Sequence, residues 1–231
     1  MRFLANFKTN HTRASTKNYM ETLNKELEGI DTQALVFPPS SALQNSSGKV
    51  TIGAQNAYFA KSGAFTGEIG LEQLNEFNIK TVLIGHSERR EIFGETQEFV
   101  AKKFEFFANE GFEIIYCIGE PLEVREQGEE ALFNYLFSQF EGIDTNYTKL
   151  TVAYEPIWAI GTGVSATKED ITIVHNRLKE QFNLPLLYGG SVKIDSIKEI
   201  ASINSVDGVL VGSASLDAIE FSKLIKEGLS V

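Results

Sequence analysis

Leu150-Thr151-Val152-Ala153-Tyr154-Glu155-Pro156-Ile157-Trp158-Ala159-Ile160-Gly161-Thr162-Gly163 is the stretch on which the reading of the fold turns. An apolar run of five residues ends abruptly in a carboxylate, Glu155, and a proline follows at once. The pattern predicts a buried strand that delivers an acid to the rim of a sheet, then a loop that is apolar where loops are usually polar. An apolar loop implies a dry pocket beneath it. Desolvation makes a carboxylate at the mouth of such a pocket more basic, so Glu155 is a candidate proton acceptor.

Outward from this stretch the same unit repeats. Apolar runs at 2–7, 33–37, 50–55, 81–85, 113–117, 184–188 and 208–211 join 150–154 as predicted strands. Most are nearly continuous rather than alternating, as in parallel strands covered on both faces. Helical patterns lie between them, at 17–27, 98–108, 129–140, 168–182, 194–201 and 216–226. The connection after Phe37 is too short and polar for a full helix. The one at 56–78 holds a loop rich in Ala, Phe and Gly before a short helix. No linker-like tract interrupts the alternation, so one domain spanning 1–231 is expected. Eight strand-helix units in 231 residues predict a closed (β/α)8 barrel in the α/β class. The rival, an open doubly wound sheet, leads one to expect a glycine fingerprint after the first strand. Asn6-Phe7-Lys8-Thr9-Asn10 is not one.

Composition narrows the function classes. Hydrophobic residues at 42% and charged residues at 23% describe a globular chain. The net charge of -10 argues against nucleic acid as a partner, which would need a basic face. No apolar run reaches the roughly 18 residues of a membrane span, and the N-terminus turns polar too early for a signal peptide. The single cysteine, Cys117, has no internal partner, which fits a reducing cytoplasm.

In such a barrel the functional residues sit at the C-terminal ends of the strands. Asn6 and Lys8 end the first and share a face by period-two alternation, so the lysine offers a positive charge to an anionic substrate. The fourth ends in Gly85-His86-Ser87-Glu88-Arg89-Arg90, with Ser87 and Glu88 in the first turn of a helix. The positive end of that helix disfavours an imidazolium at His86, and a neutral ring still donates one N–H to a carbonyl oxygen. His11 and His175 lack this context and are expected at the surface. The seventh and eighth strands end in Gly189-Gly190-Ser191 and Gly212-Ser213, small-residue turns that let backbone N–H groups approach an anion. Cys117 reads as a buried structural thiol, no cluster has metal-ligand spacing, and the 17 phenylalanines read mostly as core. A base, a neutral electrophile, a cation and a phosphate cradle make a machine that removes a proton beside a carbonyl and stabilises the enediolate. That chemistry needs no cofactor.

These residues carry a resemblance. Asn6-Phe7-Lys8, Gly63 through Ile69, Ile84 through Arg90, Phe93-Gly94-Glu95, Cys117 through Glu120, Ala153 through Gly163, Leu187 through Val192 and Asp207 through Gly212 resemble the triosephosphate isomerase family over nearly the whole chain. The resemblance implies interconversion of dihydroxyacetone phosphate and D-glyceraldehyde 3-phosphate, in glycolysis and gluconeogenesis, in the cytoplasm and without a cofactor. It implies that Glu155 shuttles the proton, His86 polarises the carbonyl, Lys8 holds the substrate and Asn6 lines the same pocket. It implies support from Glu88 and Glu95, and phosphate contacts from the N–H groups of Gly161, Ser191, Gly212 and Ser213 under a lid beginning at Pro156. It also implies a homodimer in which the loop around Ala64 to Glu68, with Thr66 near its tip, inserts into a second copy. Phe7, Thr9, Ser213 and the segment Gly163-Val164-Ser165-Ala166 depart from the usual family residues, and the chain is short for the family. Two other readings stand beside this one: another phosphosugar isomerase or lyase on the same barrel, and a non-catalytic binding or adhesion role.

Overall fold

A computed structural model describes residues 1–160 and 165–231. Its strands are β1 (Arg2–Asn6), β2 (Ala34–Phe37), β3 (Val50–Ile52), β4 (Thr81–Ile84), β5 (Glu113–Ile118), β6 (Leu150–Tyr154), β7 (Leu186–Tyr188) and β8 (Gly208–Val211). The helices are α1 (Arg13–Glu26), α2 (Leu71–Glu76), α3 (Ser87–Glu91), α4 (Gln97–Asn109), α5 (Leu122–Arg125), α6 (Glu129–Ser138), α7 (Lys168–Phe182), α8 (Ile194–Ala201) and α9 (Ala218–Gly228). The strands form one parallel sheet in the order β3-β2-β1-β8-β7-β6-β5-β4. Its two ends meet through Ala54, whose N–H donates to Thr81 O at 2.9 Å and whose carbonyl accepts from Leu83 N–H at 2.9 Å. The barrel is thereby closed, as the alternation of strands and helices predicts.

The near-continuous apolar runs follow from two cores. Leu4, Leu35, Leu83, Ile115, Cys117, Ala153, Leu187 and Leu210 point inward and fill the barrel. Their neighbours, such as Phe3, Ala5, Val36, Val82, Ile114, Val152 and Val209, point outward and pack under the helices. This alternation also aims the site. Two residues beyond an inward Leu4 comes Asn6; beyond Ala153, Glu155; beyond Leu187, Gly189; beyond Leu210, Gly212. Each falls where its strand runs out, at the C-terminal mouth.

The connection after Phe37 holds only a short 3-10 turn, Ser40–Ala42, and the third connection ends in the six-residue α2, both as expected. The first helix begins four residues earlier than its apolar stripe suggests. Thr12 and Ser15 form a reciprocal cap there, and buried Thr16 continues the inward face in place of an apolar residue.

The two remaining histidines correct the expectation of surface positions. His11 is half-buried, its ring 4.4 Å from that of Phe7, with Nδ1 3.1 Å from Ser15 Oγ and Nε2 3.0 Å from Leu216 O. His175 is fully buried on α7, with Nδ1 3.1 Å from Ser205 O. It continues the stripe Ile171, Val174 and Leu178 at helical spacing, a signal that was available in the sequence.

Burial lowers the pKa of His175 from 6.5 to about 4. The unfolded chain therefore binds a proton that the folded chain refuses between those values. Stability is complete above pH 6.5 and falls as pH drops toward 4, by roughly 3 kcal/mol in all. Urea midpoints measured from pH 7 to pH 4 are expected to fall more steeply for the parent than for His175→Gln. Parallel curves would show that His175 is not the group responsible.

Candidate active site

At the C-terminal mouth, a cavity of about 520 Å³ is lined by Asn6, Lys8, His86, Glu155, Ser191, Gly212 and Ser213 among others. Residues that are far apart in sequence thus share one chamber.

Glu155 directly follows β6 and is almost fully buried. Its N–H donates to Ile118 O at 2.8 Å, which ties the end of β6 to β5. The carboxylate Oε1 lies 3.4 Å from His86 Nε2, and Oε2 has no hydrogen-bond partner. Burial raises its pKa above the ordinary carboxylate range. His86, the Cys117 thiol and Lys8 act against that rise, and Glu88 reinforces it. A group destabilised as an anion and half unpartnered is suited to accept a proton.

His86 follows β4 and is the N-cap of α3, where its Nδ1 accepts the Glu88 N–H at 3.2 Å. An accepting Nδ1 carries a lone pair, which places the hydrogen of a neutral ring on Nε2, the atom facing Glu155.

Lys8 lies beyond the end of β1 at Asn6, not within the strand as period-two alternation assumes, and its φ is +50°. Asn6 Oδ1 accepts the Lys8 N–H at 3.0 Å and Gln55 Nε2 donates to its carbonyl, which hold this left-handed turn. The ammonium donates to Glu88 Oε1 at 2.6 Å and still lines the chamber. Glu88 thus holds the ammonium at the edge of the chamber.

Glu95 is placed differently. It is buried away from the cavity lining and accepts from Arg89 at 2.7 Å and from Lys103 at 2.6 Å. Its support reaches the site only through the α3 segment that Arg89 belongs to. Lys103 is itself buried within the stripe Val100, Phe104 and Phe107 on α4, so helical spacing would have located it.

Neither small-residue turn opens directly into an α-helix. Gly212 leads into a 3-10 turn, Ser213–Ser215, with α9 starting only at Ala218. Gly189 and Gly190 lead through Ser191 to α8 at Ile194, so Ser191 stands before the helix and not in its first turn. Both turns nevertheless line the chamber. Gly161 lies outside the described residues, and the lid expected from Pro156 is described as far as Ile160. Cys117 is buried, as expected of a structural thiol, and it packs beside Glu155.

Sequence reasoning missed the groups that hold the strand ends in place. Arg90 donates to Gly85 O at 2.8 Å and to Tyr116 Oη at 3.0 Å, bracing the turn before His86. Glu120 is fully buried, and its Oε1 accepts from Tyr154 Oη at 3.1 Å and from Trp158 Nε1 at 2.9 Å. These pairs join different strand ends, and no local pattern announces them.

Gly189 shows how tightly the acid is seated. A Cβ there would stand 2.6 Å from Glu155 Cγ and 3.2 Å from Oε1. Gly189→Ala is expected to keep the barrel and to lower kcat about 10²-fold by displacing the carboxylate. Unaltered kcat in a steady-state assay would show that the carboxylate is not held where it matters.

The architecture and chamber define a barrel enzyme whose facing acid and imidazole sit beside a cation. The chain matches the triosephosphate isomerase family over residues 1–228 and belongs to it. It is 65% identical to the triosephosphate isomerase of a Sulfurovum species over 97% of this chain and 99% of that protein. It is 55% identical to the triosephosphate isomerase of a Nitratiruptor species, over 96% of each chain. It is likewise 55% identical to that of Wolinella succinogenes, over 96% of this chain and 98% of that protein.

Proposed function

We propose that the chain interconverts dihydroxyacetone phosphate and D-glyceraldehyde 3-phosphate by proton transfer through an enediolate, with Glu155, His86 and Lys8 as its catalytic residues. The observation that carries this reading is the 3.4 Å approach of His86 Nε2 to Glu155 Oε1 on one wall of the chamber that Lys8 also lines. Glu155 takes a proton from the carbon beside the carbonyl. His86, a neutral ring with hydrogen on Nε2, donates to the oxygen that gains charge. Lys8 stabilises the anion that develops. The proton returns from Glu155 to the neighbouring carbon while His86 carries the hydroxyl proton from one oxygen to the other, so the carbonyl passes between the two carbons. Asn6 lines the pocket beside Lys8. The N–H groups of Ser191, Gly212 and Ser213, together with Gly161 beyond the described residues, are assigned to the phosphate.

Exclusion of water serves the same chemistry. An enediolate beside a phosphate ester is prone to eliminate phosphate, and an apolar cover that fixes the phosphate suppresses that loss. The apolar residues Ile157, Trp158 and Ile160 suit the role. A coupled assay with the purified protein tests the reading: turnover of either triose phosphate supports it, and failure to convert both contradicts it.

The proposed working unit is a homodimer of single-domain 1–231 chains in the cytoplasm. Residues 64–68 are exposed, with Phe65 against Tyr58, and Ile92 and Phe93 expose apolar side chains on the loop after α3. Thr66, beside the apolar pair Ala64-Phe65, is assigned to approach the active site of the second copy. A sedimentation velocity run is expected to give twice the chain mass of 25.6 kDa, and Phe65→Asp to shift it toward the monomer. A parent that sediments as a monomer at micromolar concentration contradicts the assembly.

A further inference from the structure

Arg125, the last residue of α5, belongs to none of the roles assigned above, yet it touches both flanks of the connection that leaves Glu155. Its guanidinium carbon lies 4.8 Å from the centroid of the Trp158 ring, and its Nη1 lies 3.4 Å from Glu120 Oε1. On its other side it pairs with Asp170 in the first turn of α7. Asp170 in turn accepts the N–H of Thr167, the residue that caps that helix, at 2.9 Å.

The near flank is held as firmly. Trp158 stands three residues beyond Glu155, in the short turn Ile157–Ala159. The carbonyl of Glu120 accepts the Ile157 N–H at 3.1 Å, and its carboxylate accepts the indole N–H at 2.9 Å. Glu120 is fully buried, and burial raises its pKa. The charge of Arg125 therefore favours the form that binds the indole, while the guanidinium lies over the ring. One side chain thus fixes Trp158 and ties that anchor to the start of α7.

We propose that Arg125 is a positioning residue that clamps the two described flanks of the β6–α7 connection, and so sets the seat of Glu155 through Trp158. This rests on the isomerase reading, in which the placement of Glu155 limits the rate. It adds that a residue outside the chamber governs that placement. The arrangement calls for the guanidinium as such. A lysine keeps the charge toward Asp170 and Glu120 but lacks the planar guanidinium that lies over the indole.

Trp158 is the single tryptophan of the chain, so its emission reports the clamp directly. In the full-length protein, Arg125→Met is expected to lower kcat about tenfold with KM within about twofold. That is less than the loss for a full ~1 Å retreat of a base. Trp158 emission is expected to shift in the same variant, and Arg125→Lys to fall between the two in both readouts. Circular dichroism supplies the folded fraction for each. If Arg125→Met matches the parent in kcat and emission, the proposal is overturned. It is equally overturned if the loss of kcat equals the loss of folded protein while the emission of the folded fraction stays at the parent value. A parent inactive on triose phosphates would instead remove the isomerase reading, and the emission shift would still test the clamp.

Discussion

Glu155→Asp is expected to keep the barrel intact and lose at least about 10²-fold in kcat. Shortening the side chain by one methylene withdraws the carboxylate by ~1 Å, and proton transfer from carbon is acutely sensitive to such a retreat. The structure shows why the backbone cannot follow to compensate. The Glu155 N–H is bonded to Ile118 O, the adjacent Pro156 is fixed in φ, and the side chain packs directly on Gly189. The expected signature is a fall in kcat with a modest change in KM, because the phosphate and Lys8 contacts are untouched. Near-normal turnover by Glu155→Asp would remove Glu155 as the base.

Lys8→Met is expected to lower kcat/KM by about 10²–10³-fold. The estimate follows from the ~2–5 kcal/mol lost when one member of a partly buried, hydrogen-bonded charge pair is truncated. Lys8 Nζ holds Glu88 at 2.6 Å, so the variant loses attraction for an anionic substrate and also leaves a carboxylate facing it. Methionine keeps most of the volume and disturbs the turn at φ +50° no more than lysine does. The loss is expected in KM and kcat together, since the cation meets both the bound dianion and the charge of the enediolate. Steady-state kinetics with thermal unfolding in parallel separates this from a folding defect. A loss below tenfold in a fully folded variant would place Lys8 outside the machinery.

The barrel was legible because its strands serve two cores. Leu4 faces inward while Phe3 and Ala5 face outward, so β1 reads as an unbroken apolar run and its first polar residue, Asn6, marks the mouth. The same rule holds for Glu155 and the turns at Gly189 and Gly212, whereas His86 stands three residues beyond the inward Leu83, after a positive-φ turn at Gly85. The rule failed for Lys8, whose position depends on a left-handed turn held by Asn6 and Gln55 and not on the alternation of a strand. His175 and Lys103 were misread for a different reason, although helical spacing carried the signal. Polar residue types suggest the surface, whereas each sits on a helix stripe that faces inward and finds a partner there. The Glu120, Trp158 and Arg125 cluster has no local signature, because its members come from separate strand-helix connections and meet only when the barrel closes.

The claim on which the rest depends is that His86 and Glu155 face one small anionic substrate whose phosphate rests on backbone amides. A crystal structure with 2-phosphoglycolate, a mimic of the enediolate phosphate, tests it most directly. The predicted result has the ligand's carboxylate between His86 Nε2 and the Glu155 carboxyl group and within reach of Lys8 Nζ, with its phosphate against the N–H groups of Ser191, Gly212 and Ser213. A ligand bound anywhere else, or one whose carboxylate touches neither side chain, would contradict the account.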